Sequence, residues 1–144
     1  MVLRTDGSCE VYVIHRAPDG AVHILHPPRG TEPSAGGVFE PLPEGSHLDA
    51  GTGIETLHVV ATRAPIPELL RAVTTFQAAA DDARAAACAA VLRALHEIRS
   101  EYEDVRVRGV RPALLGGRIR GPLGPLFEYD VETVYCRTFT IEHR

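Results

Sequence analysis

The stretch Gly51-Thr-Gly-Ile-Glu-Thr-Leu-His-Val-Val-Ala-Thr-Arg-Ala-Pro-Ile-Pro67 decides the fold. It reads as a glycine turn, a buried strand, and a proline-bracketed entry into helix. From Ile54 to Ala61 the side chains alternate, Leu57, Val59 and Ala61 to one face and His58 and Val60 to the other, the period of a strand. Its apolar content places it centrally in a sheet. At Pro67 the period changes to 3.6, because proline suits a first helical turn and Leu69, Val73 and Phe76 fall at helical spacing. A second helix is expected from about Asp81 to Tyr102. Asp81 and Asp82 match its N-terminal dipole, alanines supply propensity, and Cys88, Val91, Leu95, Ile98 and Tyr102 form one apolar stripe. Arg93 and Glu97 make an (i, i+4) pair on the wet side. The two helices are expected to pack as an antiparallel hairpin on one sheet face.

Upstream, Cys9-Glu-Val-Tyr-Val-Ile-His15 and Ala21-Val-His-Ile-Leu25 are rich in β-branched residues, and Ala17-Pro-Asp-Gly20 lies between them. Proline presets φ, Asp bonds its own backbone and Gly takes positive φ, so this is a β-hairpin. Both strands are apolar at nearly every position, which calls for cover on both faces, as in a sandwich. His26 to Gly37 holds two adjacent prolines and three glycines and reads as a surface loop. Val38 to Leu42 reads as a short edge strand, and Ser46 to Asp49 as a brief pairing segment. Downstream, Val105 and Val107 hint at a strand, and glycines and prolines from Gly116 to Pro125 read as loop. Phe127–Val131 and Val134–Ile141 close the chain as strands, with Val134, Cys136, Thr138 and Thr140 on one face and Tyr135, Phe139 and Ile141 on the other.

Composition narrows the function classes. The 144 residues suit one domain with a real core. Apolar content of 44% and charged content of 24% are those of a globular protein. A net charge of −4 supplies no field for nucleic acid or acidic membranes, although all 15 basic residues are arginine. No apolar run approaches the length of about 20 residues that spans a bilayer. Met1 to Gly7 lacks the pattern of a signal peptide and leads almost at once into strand-like sequence, as expected of a segment of a longer polypeptide. Cys9, Cys88 and Cys136 make no motif, and their odd count argues against a disulfide framework.

Val11-Tyr-Val-Ile-His15, the tip Asp19-Gly20, Val22-His-Ile-Leu-His-Pro27, Gly36–Pro43 and Gly53–Pro65 together resemble a bacterial module catalogued as domain of unknown function 4384. The likeness covers residues 9 to 68, about half the chain. It implies a compact β-rich sandwich of the kind attached to caspase-like peptidases, protein kinases or envelope-associated proteins. The family has no established active site, so the resemblance assigns no functional residue. The helical hairpin and the Arg-rich segment lie outside its core pattern.

Several chemistries can be weighed on the residues. Seven histidines raise the question of metal. His23 and His26 stand three apart, on opposite faces of a regular strand, and His15 can approach one of them across the hairpin. With no Cys-x-x-Cys, helical His pair or acid cluster beside them, His15, His23 and His26 are weak zinc candidates, and the expected role is structural. Cys136 with His58 or His143 does not amount to a working thiolate: a small thiol among aromatic strand residues is expected to be buried and inert. Gly51-Thr-Gly53 precedes a strand and lacks a lysine, so it is no phosphate loop. Its glycines serve the turn, and Glu55 is expected to bond backbone amides there.

The most function-like feature is the run Arg106, Arg108, Arg111, Arg118 and Arg120, which contains no acid. Guanidinium forks bind carboxylate or phosphate bidentately. Glu97, Glu101, Glu103 and Asp104 immediately precede the run and can pair with it, and single-strand binders need more interleaved aromatics. No nucleic-acid partner is therefore expected.

The expectation is one α+β domain over 1–144, mainly an antiparallel β-sandwich with an inserted α-helical hairpin. Its β-rich core covers 9–65 and 127–142, the hairpin about 67–102, and the Arg-rich loop region 105–126. The expected function is that of a non-catalytic binding or regulatory module, the C-terminal part of a larger bacterial multidomain protein, contacting a partner protein or a neighbouring domain. It needs no cofactor, and the residues favour neither the cytoplasmic nor the extracytoplasmic side of a membrane. The alternative is a small-molecule or glycan-sensing sandwich, its ligand held where loop 27–37 meets the Arg-rich loop.

Overall fold

The computed structural model describes residues 3–39, 53–102, 111–112, 127–128 and 134–143. Strand β1 runs from Leu3 to Arg16 and β2 from Val22 to His26. The turn between them uses the local chemistry expected of Pro-Asp-Gly. Ala17 N donates to Ala21 O at 2.8 Å, Gly20 N to Ala17 O at 2.9 Å, and Ala21 N to Asp19 Oδ1 at 2.8 Å. Gly20 sits at φ 89°, which glycine adopts without a Cβ clash. In register, His15 faces His23 and Ile14 faces Ile24, and an irregularity between Val13 and Ile14 brings Val13 opposite His26.

Strand β3, Ser34–Phe39, pairs antiparallel with the first half of β1, Leu3 opposite Phe39 and Glu10 opposite Ser34. This corrects the loop expected through Gly37. Gly36 and Gly37 stand in a strand that pairs, among the described strands, with β1 alone, and an outer strand tolerates glycine better than a central one. The expected continuation through Leu42, and Ser46–Asp49, lie outside the described residues.

The other flank of β1 pairs with β4, Gly53–Thr62, which pairs along its whole length with β7, Val134–His143. The order is β2-β1-β4-β7, so the Ile54–Ala61 stretch is central, as its composition requires. Gly53 has φ 146°, and a Cβ there would lie 2.7 Å from Pro18 Cβ, so only glycine lets β4 begin against the β1–β2 turn. A separate pair of two-residue strands is formed by β5 at Arg111–Pro112 and β6 at Phe127–Glu128, and the rest of the strand expected over Phe127–Val131 lies outside the described residues.

Helices α1, Pro67–Ala78, and α2, Asp81–Tyr102, follow β4 with Pro67 in the first turn. Leu69, Val73 and Phe76 of α1 pack with Ala87, Val91, Ala94, Leu95 and Ile98 of α2 on Tyr12, Ile14, Val22, Val60 and Val134 of the sheet. The Arg84 guanidinium lies 4.1 Å from the centre of the Phe76 ring and donates to Phe76 O at 3.4 Å. Gln77 Nε2 donates to Pro27 O at 2.8 Å, fastening α1 to the loop after β2. On the opposite sheet face, Val11, Val13, Leu57 and Val59 form a second buried cluster, with Cys9, Leu25, Ala61, Tyr135 and Phe139 packed against it. The alternation read from the sequence therefore sorts the side chains correctly, and the fold is α+β. No helix among the described residues is long and apolar enough to cross a membrane.

Candidate functional site

Polar side chains interrupt the second, otherwise apolar face at one end of the sheet. Period two along β1 puts His15 in phase with Val11 and Val13, and along β4 it puts Glu55 in phase with Leu57 and Val59. Glu55 is 0% exposed and His15 6%. A buried carboxylate needs a hydrogen-bonding partner, and Glu55 Oε2 lies 2.9 Å from His15 Nε2. On the outer side of His15, exposed His23 of β2 stacks its ring at 5.7 Å between centroids and 22° between planes. The three side chains form a row, His23–His15–Glu55, running from the surface into the interior.

Glu55 Oε2 is engaged by a side chain 40 residues away in the chain. The signal is present in the sequence: a carboxylate and an imidazole each in phase with an apolar face. The zinc candidates are only partly brought together. His15 and His23 meet, whereas the ring of His26 bonds the Pro33 carbonyl. Burial pushes the His26 pKa down and the Pro33 bond opposes that. Among the described residues no three His, Cys, Asp or Glu side chains are grouped to hold a metal ion.

A second polar cluster lies on the helix face. Register sets His58 opposite Thr138, and His58 Nδ1 lies 3.0 Å from Thr138 Oγ1, with Thr56 Oγ1 at 3.5 Å from Nε2. Burial pushes the His58 pKa down, and the positive charges of Arg99 and then Arg16 push the same way. Nearby Cys136 packs against the helical core, where burial raises its thiol pKa and Arg99 opposes the rise. A thiol held protonated is a poor nucleophile, and Cys136 is a free thiol that is only partly buried. Buried Tyr12 donates to Glu10 Oε2 at 2.9 Å, and burial, then that carboxylate, raises its pKa.

The depressed His58 pKa has a measurable consequence. The folded chain binds fewer protons at this site than the unfolded chain, whose imidazole titrates near about 6.5. Its contribution is therefore intact above that value and is lost as pH falls from there toward the lower folded pKa. Urea unfolding at about pH 7.5 and about pH 5.5 is expected to show a stability decrease on acidification that is smaller in His58→Gln. An equal decrease in both proteins would remove His58 from the pH response.

Of the candidate arginines, Arg111 is on β5, across from Glu128 in the β5–β6 register. Arg106, Arg108, Arg118 and Arg120 lie outside the described residues, and with them the place where loop 27–37 was expected to meet the Arg-rich loop. No family model, no curated protein and no solved structure matches the chain.

Proposed function

We propose that this domain is a non-catalytic binding or regulatory module of a larger bacterial protein, and that it contacts a partner protein or neighbouring domain through its sheet edge. The observation that carries this reading is β7. It is the last strand in the order β2-β1-β4-β7, ten residues long, and among the described residues no strand pairs with its outer flank. An edge of that length is a template for an added strand, with main-chain bonds for affinity and alternate side chains for specificity. Exposed Arg137 and Thr140 lie along it. The interior polar groups engage one another, Glu55 with His15 and His58 with Thr138, which is in keeping with a non-catalytic module. The likeness to domain of unknown function 4384 points the same way. The finer architecture belonging to this reading is a β-sandwich with a helical hairpin inserted between β4 and β7. The buried cluster of Val11, Val13, Leu57 and Val59 supports a covering layer on the face away from the helices.

Amide hydrogen exchange on the 144-residue chain, alone and within the complete product of its gene, tests the edge. Protection of β7 amides is expected to rise by about tenfold or more in the complete protein, as for backbone that gains a strand partner. Equal exchange in the two would overturn docking at this edge.

A further inference from the structure

We propose that His15 and His23 form a two-imidazole site for a divalent transition-metal ion, with Glu55 as the buried carboxylate that orients His15. The two histidines occupy directly opposed positions on neighbouring strands, which places their side chains on one face within mutual reach. Their ring centroids are 5.7 Å apart. Imidazole nitrogens bind zinc at about 2.0–2.1 Å, so two tetrahedral ligand nitrogens stand only about 3.3 Å from each other. The two ring planes lie within 22° of parallel. His23 is exposed, so its ring can turn toward a shared ion without disturbing the core.

Glu55 is what distinguishes this pair from a chance surface pair. Metal-ligating histidines commonly donate their second ring N–H to a carboxylate, which fixes the tautomer and strengthens the ligand. Here Nε2 of His15 is against Glu55 Oε2 at 2.9 Å. Nε2 donates that bond, so in the neutral ring Nδ1 carries the lone pair available to a metal. Imidazole selects borderline ions such as Zn²⁺, Ni²⁺ and Cu²⁺ over Mg²⁺ or Ca²⁺. Among the described residues no third His, Cys, Asp or Glu joins the group, and water can fill the remaining coordination positions.

The test is thermal unfolding of the whole chain with and without millimolar NiCl2 or ZnCl2, alongside imidazole NMR with the paramagnetic ion. At a tenfold excess over the Kd the midpoint is expected to rise by roughly 3–5 °C. The shift should vanish in His23→Gln, an exposed position whose metal-free melt is expected to match the parent, and persist in His96→Gln, an exposed histidine of α2. Paramagnetic broadening should centre on His15 and His23. Glu55→Gln, compared at a temperature where it remains folded, should weaken the ion's binding by about tenfold or more. An absent shift, a shift that survives His23→Gln, or broadening spread equally over His96 would each overturn the site.

Discussion

Replacing Glu55 by alanine is expected to lower the unfolding free energy by about 3 kcal/mol, because it strands the buried His15 ring without its carboxylate and opens a void. Glu55 is fully buried and its Oε2 lies 2.9 Å from His15 Nε2, so no solvent shell stands ready to replace it. Glu55→Gln retains an oxygen acceptor of nearly the same shape and should lose about 1 kcal/mol. Converting both partners to apolar residues, as in His15→Leu with Glu55→Leu, should recover much of the loss, since two buried polar groups removed together leave neither orphaned. Denaturant unfolding of the three variants reads this pattern directly. A loss under about 1 kcal/mol for Glu55→Ala would mean that the row adds little to stability.

The second large effect is Phe76→Ala, expected to destabilise by about 3–5 kcal/mol. Phe76 is 3% exposed at the contact of α1, α2 and the sheet, and its ring also carries the Arg84 guanidinium. Truncation removes the ring from the core and leaves a cavity where two helices and a sheet must close together. Arg84→Ala removes the cation over the ring and the long hydrogen bond to Phe76 O, together a contribution of about 1 kcal/mol. Denaturant midpoints of the two variants separate burial from the cation contact. Equal losses would show that the guanidinium, and not the buried ring, holds the helices.

The elements legible in the sequence are those whose signal is local. Pro18-Asp19-Gly20 specifies its turn by its own backbone preferences, and Pro67 with Leu69, Val73 and Phe76 announces α1 within three turns. Face assignments along β4 and β7 follow from alternation alone. The start of β3 is illegible because Gly36 and Gly37 have turn chemistry locally, whereas their strand state depends on β1 residues some thirty positions earlier. The same distinction explains the site. His15 and Glu55 each violate an apolar face, which the sequence displays, but their meeting requires the β1–β4 register, which it does not. His58 with Thr138 joins positions 80 apart, beyond the reach of any local pattern. The arginine run is the plainest chemical signal, yet charge alone does not set where its side chains go.

The register of β4 with β7 also bears on how the chain is made. These neighbours are separated in sequence by both helices, and every residue of β4 from Gly53 to Thr62 has its partner on β7. Synthesis proceeds at roughly 5–20 residues per second, so a nascent chain carries β4 for several seconds before Val134–His143 can leave the ribosome. During that interval Leu57, Val59 and Val60 lie on a strand with one flank unpaired, the state most open to intermolecular pairing. The early packing of α1 and α2 on Val60 shields one side of this half-built sheet. A chain terminated after Tyr102 would retain both helices and still lack the strand that closes the interior, making this truncation a candidate for chaperone capture and inclusion-body formation.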